Sequence, residues 1–117
     1  MAELVFVYGT LRRGHGNHVL LQNSKFVDYG FTKDKYAMYH TGIPFVNENE
    51  EVSNIFGEVY QVSGHVLEML DLLEGHPSWY TRKKIAVRGN KKKHHAWLYF
   101  NDDNSGVLIE SGDYEDK

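Results

Sequence analysis

The sequence predicts an α+β fold: a small antiparallel or mixed β-barrel with helices packed outside it. Three observations predict this. Segments rich in β-branched and aromatic residues dominate, while one stretch reads as a good helix and another as a short one. Glycines recur inside the strand segments, at Gly30 and Gly57, as a sheet that curls requires. The 117 residues include 11 glycines and 8 tyrosines but only 2 prolines, a turn-rich β composition. Curled strands with few helices favour a barrel over an alternating βαβ order. The length points to a single domain, residues 1–117, able to bury a core without disulfides.

The elements follow in order. Leu4–Val7 is a short apolar strand that stops at Gly9 and Thr10. Asn17 is expected to cap a short helix over His18–Gln22. Lys25–Tyr39 is strand-forming, with Gly30 expected to mark a bulge. A loop from His40 to Asn49 surrounds a short strand, Ile43–Val46. Asn54–Val62 is a clear strand in which Val59 and Gln61 take one face and Glu58, Tyr60 and Val62 the other. Ser63 then caps the best helix, Gly64–Glu74, which Gly75 and Pro77 terminate. Tyr80–Arg88 and His94–Phe100 form a strand pair around a Gly89-Asn90 and lysine turn. Val107–Ile109 is a last strand, and the acidic tail from Ser111 is expected to be loose.

Charge and composition exclude several functions. The 13 basic and 16 acidic residues give a formal charge of −3, no electrostatic basis for binding nucleic acid or a membrane surface. No apolar run approaches a membrane span, and the N-terminus lacks a signal-peptide pattern. There is no cysteine, hence no disulfide framework and no thiolate chemistry; a cytoplasmic location is expected. His15 and His18 are three apart and His94 and His95 are adjacent, spacings that make a poor metal set, so no metal site is expected. GTLRRGHG lacks the lysine and hydroxyl residue of a nucleotide loop, and no Gly-x-Ser-x-Gly elbow is present. Nothing in the pattern sets an oligomeric state.

Two places can carry chemistry. The first is the loop after the opening strand, Tyr8-Gly9-Thr10-Leu11, where a strand ending in glycine leaves N–H groups free for an anionic or oxyanionic group. A plain tight turn has the same pattern. The second is Glu74. On a wheel of about 100° per residue, Glu68 falls opposite the apolar residues Val66, Leu67, Met69, Leu70, Leu72 and Leu73, and Asp71 lies just beyond one edge. Glu74 falls on the flank of the apolar arc. A carboxylate is also disfavoured at a helix C-terminus. The dipole, and desolvation beside Trp79 and Tyr80, should raise its pKa, while Arg82, if close, would lower it. A raised carboxyl is suited to general-base work near neutral pH; a helix-end glutamate that simply reaches water fits the same pattern.

These residues carry a resemblance. VFVYGTLRRGHGNH resembles the opening of the γ-glutamylcyclotransferase-like superfamily. Three further pieces agree in order: GEVYQV, LDLLEGHPSWYTRKKI, and WLYF followed by SGDY. Within the superfamily the chain is most similar to γ-glutamylamine cyclotransferases and their bacterial and archaeal relatives. The resemblance implies a compact β-barrel flanked by helices, with a cavity at the first loop and no cofactor. It implies cyclisation of a small γ-glutamyl substrate, the α-amine attacking its own γ-carbonyl to release 5-oxoproline and an amine or amino acid. Glu74 would be the general acid/base. Tyr8, Gly9, Thr10 and Leu11 would line the glutamyl pocket, with Tyr80 and Arg82 in supporting substrate-binding roles. The His40–Ser53 loop and the tail from Ser111 would shape the leaving-group side. Two other readings share the fold: a binding module that holds the ligand without turnover, and a family member recruited to a different γ-glutamyl substrate.

Overall fold

The computed structural model describes residues 2–117. Strand β1 (Ala2–Val7) leads through a loop to a short 3-10 helix, Gly16–Leu21. Then follow β2 (Lys25–His40), β3 (Pro44–Asn47), β4 (Ser53–Ser63), helix α1 (Gly64–Glu74), β5 (Thr81–Gly89), β6 (Lys93–Phe100) and β7 (Val107–Leu108). A 3-10 turn, Tyr114–Asp116, ends the fold. No described helix is long and apolar enough to cross a membrane.

The strands make one seven-stranded mixed sheet in the order β1-β4-β2-β3-β6-β5, with β7 on β2. Most pairings are antiparallel; two are parallel, each a single bridge, Val5 with Trp97 and Val46 with Phe100. Those bridges bring the sheet back on itself, so the α+β architecture is a curled sheet joined lightly at its seam rather than a uniform barrel. Gly30 pairs with Gly57 on β4 and with Gly89 on β5. A Cβ at Gly30 would collide with the Arg88 carbonyl, so its role is close approach of three strands. The bulges lie elsewhere than expected: β2 shifts register against β4 between Phe26 and Asp28, and again between Phe31 and Lys35.

Both faces of the sheet are buried, as alternation along β1 shows. Phe6 and Tyr8 join one core with Met38, Val59, Leu98 and Tyr114. Val5 and Val7 join the other with Leu21, Tyr60, Leu67 and Leu70, beneath the two helices. Along β4, Val59 enters the first core and Tyr60 and Val62 the second, matching the predicted faces.

Helix α1 has its predicted bounds. Ser63 accepts the Val66 N–H (3.1 Å), and Gly75 ends the helix in the left-handed region at φ 64°. Its buried stripe is narrower than the composition suggests: Leu67 and Leu70 are buried, whereas Met69 and Leu73 are exposed and Leu72 is 83 % exposed. The short helix starts at Gly16 with His15 at the N-cap position and no side-chain capping bond, so Asn17 is not its cap. Asn17 instead donates its side-chain amide to Thr10 Oγ1 (2.9 Å), bracing the loop from within.

The tail is docked rather than loose. Tyr114 is buried in the first core. The Phe56 N–H donates to the Gly112 carbonyl (2.9 Å), and Asp113 accepts from Arg12 Nη1 (2.9 Å). Arg12 is itself buried, 5.0 Å over the Phe56 ring. The expectation failed because a run of acids reads as solvated, while the residues that receive it lie at the other end of the chain.

Candidate active site

The loop after β1, the end of α1 and the segment entering β5 converge on one cavity of about 140 Å³. Tyr8, Gly9, Thr10 and Leu11 form one wall, Glu74 and Leu73 another, and Trp79 and Tyr80 a third, with Tyr99 from β6 and Ile43-Pro44 at the start of β3 completing it. Residues more than sixty positions apart in sequence therefore share one small hollow.

The loop's shape is fixed by its own backbone. The Arg12 N–H donates to the Gly9 carbonyl (3.0 Å) and the Asn17 N–H to the Thr10 carbonyl (3.0 Å). These bonds use the carbonyls of Gly9 and Thr10. Among the described residues, the N–H groups of Gly9, Thr10 and Leu11 have no protein acceptor. Unpaired backbone donors beside a cavity suit an anionic or oxyanionic group. Gly9 is required here, because a Cβ would collide with the Pro44 ring that closes the cavity.

Glu74 continues the buried stripe of α1 past Leu67 and Leu70, at the spacing i, i+3, i+7. Among the described residues its carboxyl has no hydrogen-bond or ion-pair partner, and burial raises its pKa from 4.5 to about 7. Three tyrosines face it. The Tyr8 hydroxyl donates to the Tyr99 carbonyl (2.9 Å) and the Tyr80 hydroxyl to the Pro44 carbonyl (3.0 Å). The Tyr99 hydroxyl donates to Asp71 Oδ1 (2.7 Å). Burial pushes all three phenols up, with the Glu74 charge adding to the effect, so they stay neutral. The site thus holds one titratable acid among neutral hydroxyls and free amides.

Arg82 is not on the cavity wall. Its guanidinium forms a two-pronged pair with Asp71 (2.8 and 3.2 Å) and lies 4.2 Å over the Trp97 ring. The cation that could have lowered the Glu74 pKa is therefore committed elsewhere. The tail from Ser111 does not line the cavity either, whereas Ile43 and Pro44, from the His40–Ser53 segment, do. Sequence reasoning passed over Asn17, Leu73 and Tyr99 as wall residues. Only Leu73, next to Glu74, had a local signal. Among the described residues no group of three or more histidine and acidic side chains could hold a metal.

Comparison with known proteins shows the family. The family described as gamma-glutamyl cyclotransferase, AIG2-like, matches residues 5–116. A Methanocaldococcus jannaschii protein provisionally named a gamma-glutamylcyclotransferase is 53% identical over 116 residues, covering 97% of each chain. A Danio rerio gamma-glutamylaminecyclotransferase B is 34% identical over 110 residues, covering 82% of this chain and 58% of its own. The crystal structure of a mouse AIG2-like protein superposes with a TM-score of 0.83 at 26% identity, covering 97% of this chain and 88% of that one. The chain belongs to the gamma-glutamyl cyclotransferase, AIG2-like family.

Proposed function

We propose that this chain cyclises the glutamyl group of a γ-glutamylamine or γ-glutamyl amino acid, releasing 5-oxoproline and the amine. The observation that carries the reading is Glu74: a half-buried carboxyl, unpaired among the described residues, with its pKa raised to about 7, in the same cavity as the N–H groups of the Gly9–Leu11 loop.

The steps follow from the site. A glutamyl group occupies the cavity with its γ-carbonyl oxygen towards the loop amides. Glu74, as carboxylate, takes a proton from the α-ammonium, and the freed amine attacks the γ-carbon. The new C–N bond closes the five-membered ring, and the oxygen becomes an oxyanion held by the loop N–H groups. Such a donor contributes roughly 3 kcal/mol or more in a dry site. The protonated Glu74 then returns its proton to the leaving nitrogen as the old C–N bond breaks, and the carboxylate so regenerated takes the remaining extra proton from the ring nitrogen, leaving the neutral lactam. A carboxyl with a pKa near ambient pH serves both transfers. Because nucleophile and electrophile share one molecule, orientation supplies much of the rate, and no protein nucleophile is needed. The leaving group faces the exposed side chains of Ile43, Leu73 and Trp79 at the mouth.

The reading is tested by measuring 5-oxoproline release from γ-glutamyl-ε-lysine, γ-glutamyl-alanine, glutathione and simple γ-glutamyl amines. Release from at least one is expected, with kcat/KM falling on the acid side of pH 7. Binding of these compounds without release from any would favour a ligand-holding module on the same fold.

A further inference from the structure

Asp71 lies one turn before Glu74 on α1, so their side chains rise from neighbouring positions on one helix face. Its carboxylate is fully engaged: Oδ1 accepts from Tyr99 Oη and Arg82 Nε, and Oδ2 from Arg82 Nη2. The rest of Arg82 is tied down as well. Its guanidinium stacks on Trp97, and its backbone N–H donates to His76 Nδ1 (3.2 Å). Tyr99 links this cluster to the cavity, for its ring is on the wall and its carbonyl accepts from Tyr8. The Arg82 guanidinium is thus committed to Asp71 and Trp97.

We propose that Asp71 is a positioning residue for the reaction: it reserves the Arg82 guanidinium and so leaves the Glu74 carboxyl without a cationic partner. This rests on Glu74 as the general base. The groups facing that carboxyl are the neutral hydroxyls of Tyr8, Tyr80 and Tyr99. Asp103 acts on Tyr80 from the turn after β6, and His76 acts on Asp71 from the turn after α1. Burial raises Asp71, and the hydrogen bonds from Arg82 and Tyr99 outweigh it, holding the carboxylate below its usual range. It is therefore ionised, and holds the guanidinium, wherever the enzyme would work. A guanidinium released within reach of Glu74 would favour the carboxylate and lower its pKa by about one unit or more.

The test is the pH dependence of kcat/KM for Asp71→Asn, Arg82→Gln and the double variant. The same proteins, without substrate, are titrated by carbon NMR at the Glu74 carboxyl. The second readout stands even if 5-oxoproline release fails, which separates the failure of this inference from failure of the proposed activity. Asp71→Asn keeps an acceptor for Tyr99 but frees Arg82, and should move the acid limb and the Glu74 titration about one pH unit lower. Arg82→Gln leaves Asp71 charged and unpaired, and should move both higher. The double variant should return them close to wild type. Opposed shifts that cancel are a signature that loss of packing does not produce. An unmoved titration in Asp71→Asn, or a double variant displaced as far as Asp71→Asn, would overturn the proposal.

Discussion

Burial holds the Glu74 carboxyl near 7 against an ordinary value of 4.5, so the folded state binds its proton more tightly than the unfolded chain does. The sign of the linkage follows. Stability from the neutral form is complete below about 4.5 and is lost as pH rises through 7, by about 3 kcal/mol for a shift of this size. Glu74→Gln removes the titration while keeping the shape. Denaturant unfolding of both proteins at pH 5 and pH 8 should show the variant gaining on wild type at the higher pH, by up to about 3 kcal/mol. A difference that is the same at both pH values would mean that the carboxyl is solvated when folded. The acid is thus least favourable to the fold in the form that chemistry needs.

At the scale of elements, one buried acid fastens a hairpin. Asp28, from β2, accepts the N–H groups of Tyr29 (2.9 Å) and Lys91 (3.0 Å), and its Oδ2 lies 2.9 Å from His94 Nε2. Burial would raise its pKa, but these partners outweigh that and hold it below the usual value. Its contribution is therefore present above the ordinary carboxylate range and is lost as pH falls through the lowered value. Asp28→Ala strands His94 and the amides of the β5–β6 turn, and should cost roughly 3 kcal/mol; thermal or denaturant unfolding checks this, and a loss below about 1 kcal/mol would contradict it. Helix α1 was legible to the residue because Ser63 and Gly75 act within a turn of the ends they define. The role of Gly30 was not, because its neighbours come from two strands far along the chain. The loop and Glu74 were legible through a broken local rule and a recognisable pattern. Tyr99 was hidden, since only folding brings it to the cavity, and the Asp71–Arg82 pair joins a helix to a strand that composition alone cannot match.

Across the whole molecule, residues just after the Tyr8–Leu11 loop are tied to the C-terminal tail. Arg12, immediately after the loop, is gripped by Asp113 of the tail, and His15 pairs with Glu115 (2.5 Å). Tyr114 anchors that tail with 4 % of its surface exposed. Tyr114→Ala should cost about 3 kcal/mol or more from the lost ring and the cavity left behind, and should raise KM by loosening the loop; unfolding and steady-state kinetics report the two effects. An unchanged stability would show the tail to be peripheral. Whether a half-buried carboxyl facing main-chain donors performs the cyclisation is tested most directly by 5-oxoproline release from Glu74→Gln protein, with its fold checked by circular dichroism. Release should fall by about a hundredfold or more, with the native spectrum retained; release at the wild-type rate would contradict it.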